Sequence, residues 1–194
     1  RLDPRHDARK PLEDYEVILV DQRALTLLPG VEKWYGRLQE FAKAGGHLVI
    51  FPQDPQVWNA HPLWPGLSLR TTLAMDEHTP VQTQAEHSFL TSPNKITAGD
   101  WQNWLYARGY SIVSGPALPQ AEVPLKTADG IALLLTQRLG QGRITYVNLA
   151  LKPQLLNIHA GAFRLLANIL SCDPAGAGRP MAVSPPERRS EGKS

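Results

Sequence analysis

One cysteine, Cys172, is all that this 194-residue sequence carries, so an internal disulfide and any Cys-x-x-Cys metal or redox site are excluded. An excess of charge of one sign is missing too. Twenty basic residues stand against 18 acidic ones, and a formal net charge of +2 is too small to imply nucleic acid or an anionic membrane as a partner. No apolar run approaches the roughly 20 residues of a membrane-spanning helix. The first residues do not read as a signal peptide. Because the chain opens on Arg1 rather than Met, a fragment or processed piece is expected. The compartment is left open: an export signal on the full-length protein would make it secreted or periplasmic. Catalytic signatures are also scarce. Neither Gly-x-Cys-x-Gly nor Gly-x-Ser-x-Gly, the elbows that present a nucleophile on an α/β sheet, occurs. No two of the six histidines have helix-face metal spacing. The glycines of Leu139-Gly140-Gln141-Gly142 precede no helix, which argues against a phosphate loop.

What is present reads as an α/β domain. Hydrophobic residues make up 42% of the chain and charged residues 20%, as in a soluble globular domain. Residues 1–11 read as a linker or truncated N-terminal edge, 12–171 as the domain, and 172–194 as a disordered tail rich in Pro, Gly, Ser, Arg and Glu. Tyr15–Val20 and His47–Phe51 are short apolar runs suited to strands buried on both faces. A helix over Gly30–Ala44, stopped by Gly45-Gly46, lies between them and completes a βαβ unit. Residues 52–66 are expected to be an irregular loop, 67–86 one or two edge strands, 112–113 a strand and 114–129 a Pro-rich loop. The runs 131–137 and 143–149 flank a glycine turn and predict a hairpin, and Ala160–Leu170 an amphipathic final helix.

The least generic stretch is His87–Tyr110. Pro93-Asn94 signals a turn, and Thr97 with Asp100 three residues later reads as a helix N-cap. Trp101, Trp104, Leu105 and Arg108 then fall on one helical face, with Gly109 as the stop. Two readings stay open: indoles that anchor a surface helix, the commoner arrangement, or an aromatic platform for a sugar or peptide. Asp21, Gln22, Arg23, Gln53 and Asp54 are expected at the carboxyl ends of adjacent parallel strands, where open α/β sheets bind ligands. Asp21 there is either a loop cap or an acid/base group. The acid–histidine neighbours Asp76-Glu77-His78 and Glu86-His87 read as solvated loops rather than metal sites.

The segments His87–Ile96, Asp100–Trp104 and Ala107–Tyr110 together resemble a motif of the class I glutamine-amidotransferase-like domains appended to PIG-L (LmbE-like) sugar deacetylases. Gly140–Arg143, Tyr146, Gly161–Asn168 and the strands around 15–20 and 44–49 look like the rest of that domain, so the resemblance covers about residues 12–171. Ser88, Trp101, Asn103 and Ala107 depart from its usual residues. The amidotransferase Cys-His-Glu triad has no counterpart, and the deacetylase His-Pro-Asp-Asp zinc motif does not occur. The resemblance implies a flavodoxin-like fold: a mostly parallel sheet flanked by helices, with a C-terminal β-hairpin. It implies a non-catalytic companion domain without a cofactor of its own, any zinc lying in a deacetylase domain outside this sequence. Its partners would be that domain of the same polypeptide, a carbohydrate, or further copies of the chain. On this reading His87, Asn94, Trp101, Trp104 and Arg108 in the motif, with Asp21 and Gln53 at the strand ends, are the ligand-binding candidates. Two other classes stay open: a hydrolase or lyase in which Asp21 and a histidine such as His87 converge in one pocket, and a purely structural or partner-binding module.

Overall fold

A computed structural model describes Leu2, Asp7 and residues 9–172; most of the expected linker and the tail beyond Cys172 lie outside the described residues. β1 (Val17–Val20) and β2 (His47–Ile50) pair in parallel, in register from Val17 opposite His47 to Val20 opposite Ile50. The connection carries α1 (Ala24–Leu27), a 3-10 turn at Val31–Trp34 and α2 (Tyr35–Lys43), so the βαβ unit forms as expected. Its helix is shorter than the predicted Gly30–Ala44, because Gly30 takes a left-handed φ of 83° and the first turn winds as 3-10. α3 (Pro55–Ala60) occupies the segment expected to be loop. Asp54 accepts from the backbone N–H groups of Gln56 and Val57, and Pro55 fills the first helical position, so the start signals were written in the sequence.

β3 (Ser68–Thr71) leaves the main sheet and pairs only with β5 (Ser111–Ser114). Between them lie β4 (Val81–Thr83) and α4 (Ser88–Thr91). β6 (Glu122–Thr127) runs through the second segment expected to be loop. The predicted hairpin is present as β7 (Ala132–Leu139) and β8 (Gly142–Val147), closed where Leu139 faces Gly142. α5 (Leu151–Leu156) and α6 (Ala160–Ser171) are the last elements among the described residues.

The six-stranded sheet has the order β1-β2-β8-β7-β6-β4. It is mixed rather than mostly parallel: β1-β2 and β2-β8 are parallel, whereas β8-β7, β7-β6 and β6-β4 are antiparallel. The short connections at 140–141 and 128–131 impose the β8-β7 and β7-β6 pairings, since a parallel crossover needs a dozen residues or more. Helices cover both faces. Leu48, Ile50, Ile144 and Tyr146 face a core with α2 and Trp58 of α3, while Val49, Val147, Leu134 and Leu125 face a second core with α4 and α6. Every residue of β2 and β8 is buried, which is why both read as apolar runs. Among the described residues no helix is long and apolar enough to cross a membrane.

Candidate functional site

The motif folds, but not as the predicted helix over 97–108. Thr97 and Asp100 do open a helical turn: Asp100 Oδ2 accepts from the backbone N–H (2.8 Å) and the hydroxyl (2.9 Å) of Thr97. The turn is only the 3-10 segment Ala98–Trp101. Gln102 is extended and Asn103 takes a left-handed φ of 57°, so Trp104, Leu105 and Arg108 share no helical face, and Gly109 bridges Leu149 instead of capping a helix. Tertiary bonds replace the helical ones. Trp104 Nε1 donates to Ala107 O at 2.8 Å, and the Gln154 side chain bonds both N–H and C=O of Leu105 (2.9 and 2.8 Å).

Beside this turn lies an open surface hollow of about 490 Å³ lined by Glu77, His78, Trp101, Gln102, Asn103, Trp104 and Arg108. Residues 76–78 reach it because Asp76 bridges Ala107 and the N–H of Arg108 donates to Met75 O. Trp104 is the anchor of the wall: it is 4% exposed, with the Arg108 guanidinium over one side at 5.3 Å and the His159 ring edge-on at 5.4 Å. Trp101, half-buried and 5.8 Å from Trp104 between centroids, is the indole that lines the opening. Arg108 is nearly buried, with Nε donating to Thr79 O (3.2 Å) and Nη2 to Trp101 O (3.1 Å), while Nη1 has no hydrogen-bond partner among the described residues. Burial weakens the hold of the guanidinium on its proton; the nearby Asp76 and Glu77 carboxylates oppose that effect. The cavity thus offers one stacking face, a carboxylate, an imidazole, two amides and a guanidinium.

His87 and Asn94 do not line this hollow; their side chains bond elsewhere in the domain. His87 caps α4 through Nδ1, which accepts from Phe89 N–H at 3.1 Å, and its Nε2 meets Glu122 Oε2 at 3.2 Å. Asn94 is clamped to α6 by the fully buried Asn168, whose Oδ1 accepts from the backbone and side-chain amides of Asn94 and whose Nδ2 donates to Asn94 O and Phe89 O.

The strand ends carry a second, smaller hollow of about 170 Å³ lined by Gln22, Arg23, Pro52, Gln53, Asp54, Pro55, Thr71, Tyr110 and Ser111. Its polar groups are largely committed. Gln53 accepts from Leu25 N–H and donates to Asp21 O and Phe51 O, and Asp54 caps α3. Asp21 does not line the hollow; its carboxylate lies 2.8 Å from Lys152 Nζ. Nor does it meet His87. Asp21 follows the carboxyl end of β1, whereas His87 contacts the first residue of β6, four strand spacings or about 19 Å across the sheet. Among the described residues no group of three or more His, Cys, Asp or Glu could hold a metal ion.

Sequence reasoning missed a buried polar chain near the amino ends of β2 and β8. His47 Nε2 meets Thr145 Oγ1 (2.8 Å), Thr145 meets Thr136 (2.9 Å), and Arg143 Nη1 donates to Thr136 Oγ1 (3.2 Å) beside Glu122. Burial drives the His47 imidazole down to about 3, with Arg143 adding to the effect. Burial also lowers His87, against the pull of Glu122.

No protein-family model matches this sequence, and no curated protein matches it. Solved structures do resemble it. A cytoplasmic protein from Salmonella typhimurium aligns at 16% identity and a TM-score of 0.55 over 82% of this chain and 72% of that one. A second Salmonella cytoplasmic protein aligns at 14% identity and a TM-score of 0.53 over 84% and 75%. An exo-β-1,4-mannosidase from an Opitutaceae bacterium aligns at 16% identity and a TM-score of 0.50 over 81% of this chain but 25% of the enzyme, so the chain spans about a quarter of that relative. At these identities the likeness shows a shared α/β fold and no more.

Proposed function

We propose that this chain is a non-catalytic, carbohydrate-binding companion domain of a larger polypeptide, related to the flavodoxin-like, amidotransferase-like domains that accompany PIG-L deacetylases. The observation that carries the reading is the motif-built cavity, in which a half-buried indole stands among hydrogen-bonding groups of every kind. A pyranose presents an apolar C–H face and a rim of hydroxyls that both donate and accept. Trp101 suits the first, and Glu77, Asn103 and Gln102 suit the second. That a mannosidase holds a region of this shape as a quarter of its length supports a companion role. The zinc chemistry of a deacetylase would belong to its own domain.

The test is a titration of the chain with neutral, N-acetylated and amino-sugar oligosaccharides, followed by tryptophan fluorescence in the wild type and in Trp101→Ala. Saturable binding lost in the variant is the expected result. Absence of binding at millimolar glycan would remove the reading. A second reading, docking of a partner or of another copy, is favoured by the exposed Leu105, Tyr106, Leu156, Ile158 and Phe163 on the segments that Gln154 and His159 tie together. Tyr106 (φ 70°) and Ile158 (φ 56°) hold left-handed backbones, a conformation that costs a β-branched residue such as isoleucine dearly.

A further inference from the structure

We infer that the ligand of the Trp101 hollow is an acidic sugar, a uronic acid whose ring stacks on Trp101 and whose carboxylate pairs with Arg108. This rests on the reading of the hollow as a carbohydrate site and names the class of sugar. The charge of Arg108 is the starting point. The residue is 7% exposed, and among the described residues no carboxylate forms an ion pair with it. Arg143, the other buried guanidinium among the described residues, has Glu122 Oε1 at 4.0 Å, and Arg164 has Asp100 Oδ1 at 2.6 Å. A charge taken out of water without a counter-charge is costly, so such groups are ordinarily paired.

Two backbone carbonyls and one ring hold Arg108. Nε donates to Thr79 O at 3.2 Å and Nη2 to Trp101 O at 3.1 Å, while the guanidinium lies 5.3 Å from the centre of the Trp104 ring. These contacts orient the fork but supply no negative charge. Each carbonyl takes one N–H, and Nη1 has no acceptor among the described residues.

The place of this charge suits one pyranose. Arg108 lines the hollow, and the carbonyl that its Nη2 bonds belongs to Trp101, whose indole offers the stacking face. Indole and fork are thus neighbours in one bonded unit. A uronic acid carries its carboxylate directly on the ring edge, so a sugar lying on the indole turns that group towards the guanidinium, whose planar fork matches it. Nη1 is covered by the lining, so the carboxylate meets the charge of the fork first and Nη1 itself as the lining side chains part. The carboxylates already nearby oppose an anion weakly. Glu77 has a side chain 37% exposed, with Oε1 at 3.7 Å from His78 Nε2, and solvent screens it. Asp76 accepts from the His78 N–H and the Thr79 hydroxyl. The Arg108 charge lies out of solvent, where screening is least.

The experiment compares trigalacturonic acid with its methyl ester by calorimetry at low and moderate salt, since the two share a skeleton and differ in charge. In the wild type the acid binds roughly tenfold tighter than the ester, about the worth of a hydrogen-bonded charge, and added salt narrows the gap. Arg108→Gln brings the ratio of the two affinities to about one, and Glu77→Gln raises it. Equal binding of acid and ester by the wild type overturns the inference and leaves the carbohydrate reading standing; so does an acid preference that survives in folded Arg108→Gln. If neither these nor neutral sugars bind, both fall. An aspartate-rich peptide that binds where trigalacturonic acid does not would make the hollow a site for acidic protein segments and overturn the inference. Should Arg108→Gln fail to fold, the acid-to-ester ratio of the wild type and its salt dependence decide.

Discussion

Acidification should strip stability from this domain through one buried ring, His47. Its imidazole is fully buried, stacked near Phe89, and bonded through Nε2 to Thr145. Folding holds it neutral, with a pKa of about 3 against 6.5 for a free imidazole. Below pH 6.5 the unfolded chain therefore binds a proton that the folded chain refuses, and stability falls with falling pH. The full contribution is present above 6.5 and is lost progressively down to about 3. One pH unit corresponds to about 1.4 kcal/mol, so two units of acidification remove about 3 kcal/mol, a large part of an ordinary domain's 5–15 kcal/mol. Burial lowers His87 as well, and its contribution has the same sign. Urea unfolding at a series of pH values measures the slope, and His47→Gln isolates the residue. The glutamine keeps an amide nitrogen for Thr145 but has no titration, so it should lose about 1–3 kcal/mol at neutral pH and yet show the shallower pH dependence. Parallel slopes for wild type and variant would refute the reasoning, because carboxylate titration elsewhere is common to both.

Two further substitutions probe the packing of α6. Gly161→Ala, placed inside α6, would ordinarily stabilise a helix by about 1 kcal/mol; here the added Cβ meets the Asp100 backbone and side chain, so a drop in melting temperature is expected, and a rise would show that the turn yields freely. Asn168→Ala removes the clamp on half-buried Asn94 and takes the Asn168 amide from buried Phe89 O; a loss of roughly 3 kcal/mol in urea unfolding is expected, and a change below about 1 kcal/mol would mean that water replaces the amide.

The strands β1 and β2, the βαβ crossover, the final hairpin and α6 were legible because local pattern and burial agree in them. Elsewhere tertiary bonds overrode the pattern. The spacing of Trp101, Trp104 and Arg108 is helical, but Trp104 spends its N–H on Ala107 and Leu105 spends its backbone on Gln154, so the helix stops after one turn. β6 was hidden by the surrounding prolines; Pro124 is tolerated there where the ladder slips out of register. In the candidate site, Trp101 and Arg108 were visible as a motif. The contribution of Glu77 and His78 was not, because it depends on the bridge between Asp76 and Ala107. Nothing local marks His159 as the cap of α6, since histidine is not among the usual capping residues.

The pairing of β2 with β8 has a consequence for how the chain is made. His47 finds its partner Arg143 only after roughly a hundred further residues have been synthesised. Until then the all-buried strand His47–Ile50 has β1 on one side and an open ladder on the other. A ribosome that stalls before residue 142, or a truncation there, would leave a sticky apolar edge able to recruit other strands. The closing hairpin is therefore also the step that seals the sheet, and assembly should be slow for a domain of this size, because its central contact is among its most distant.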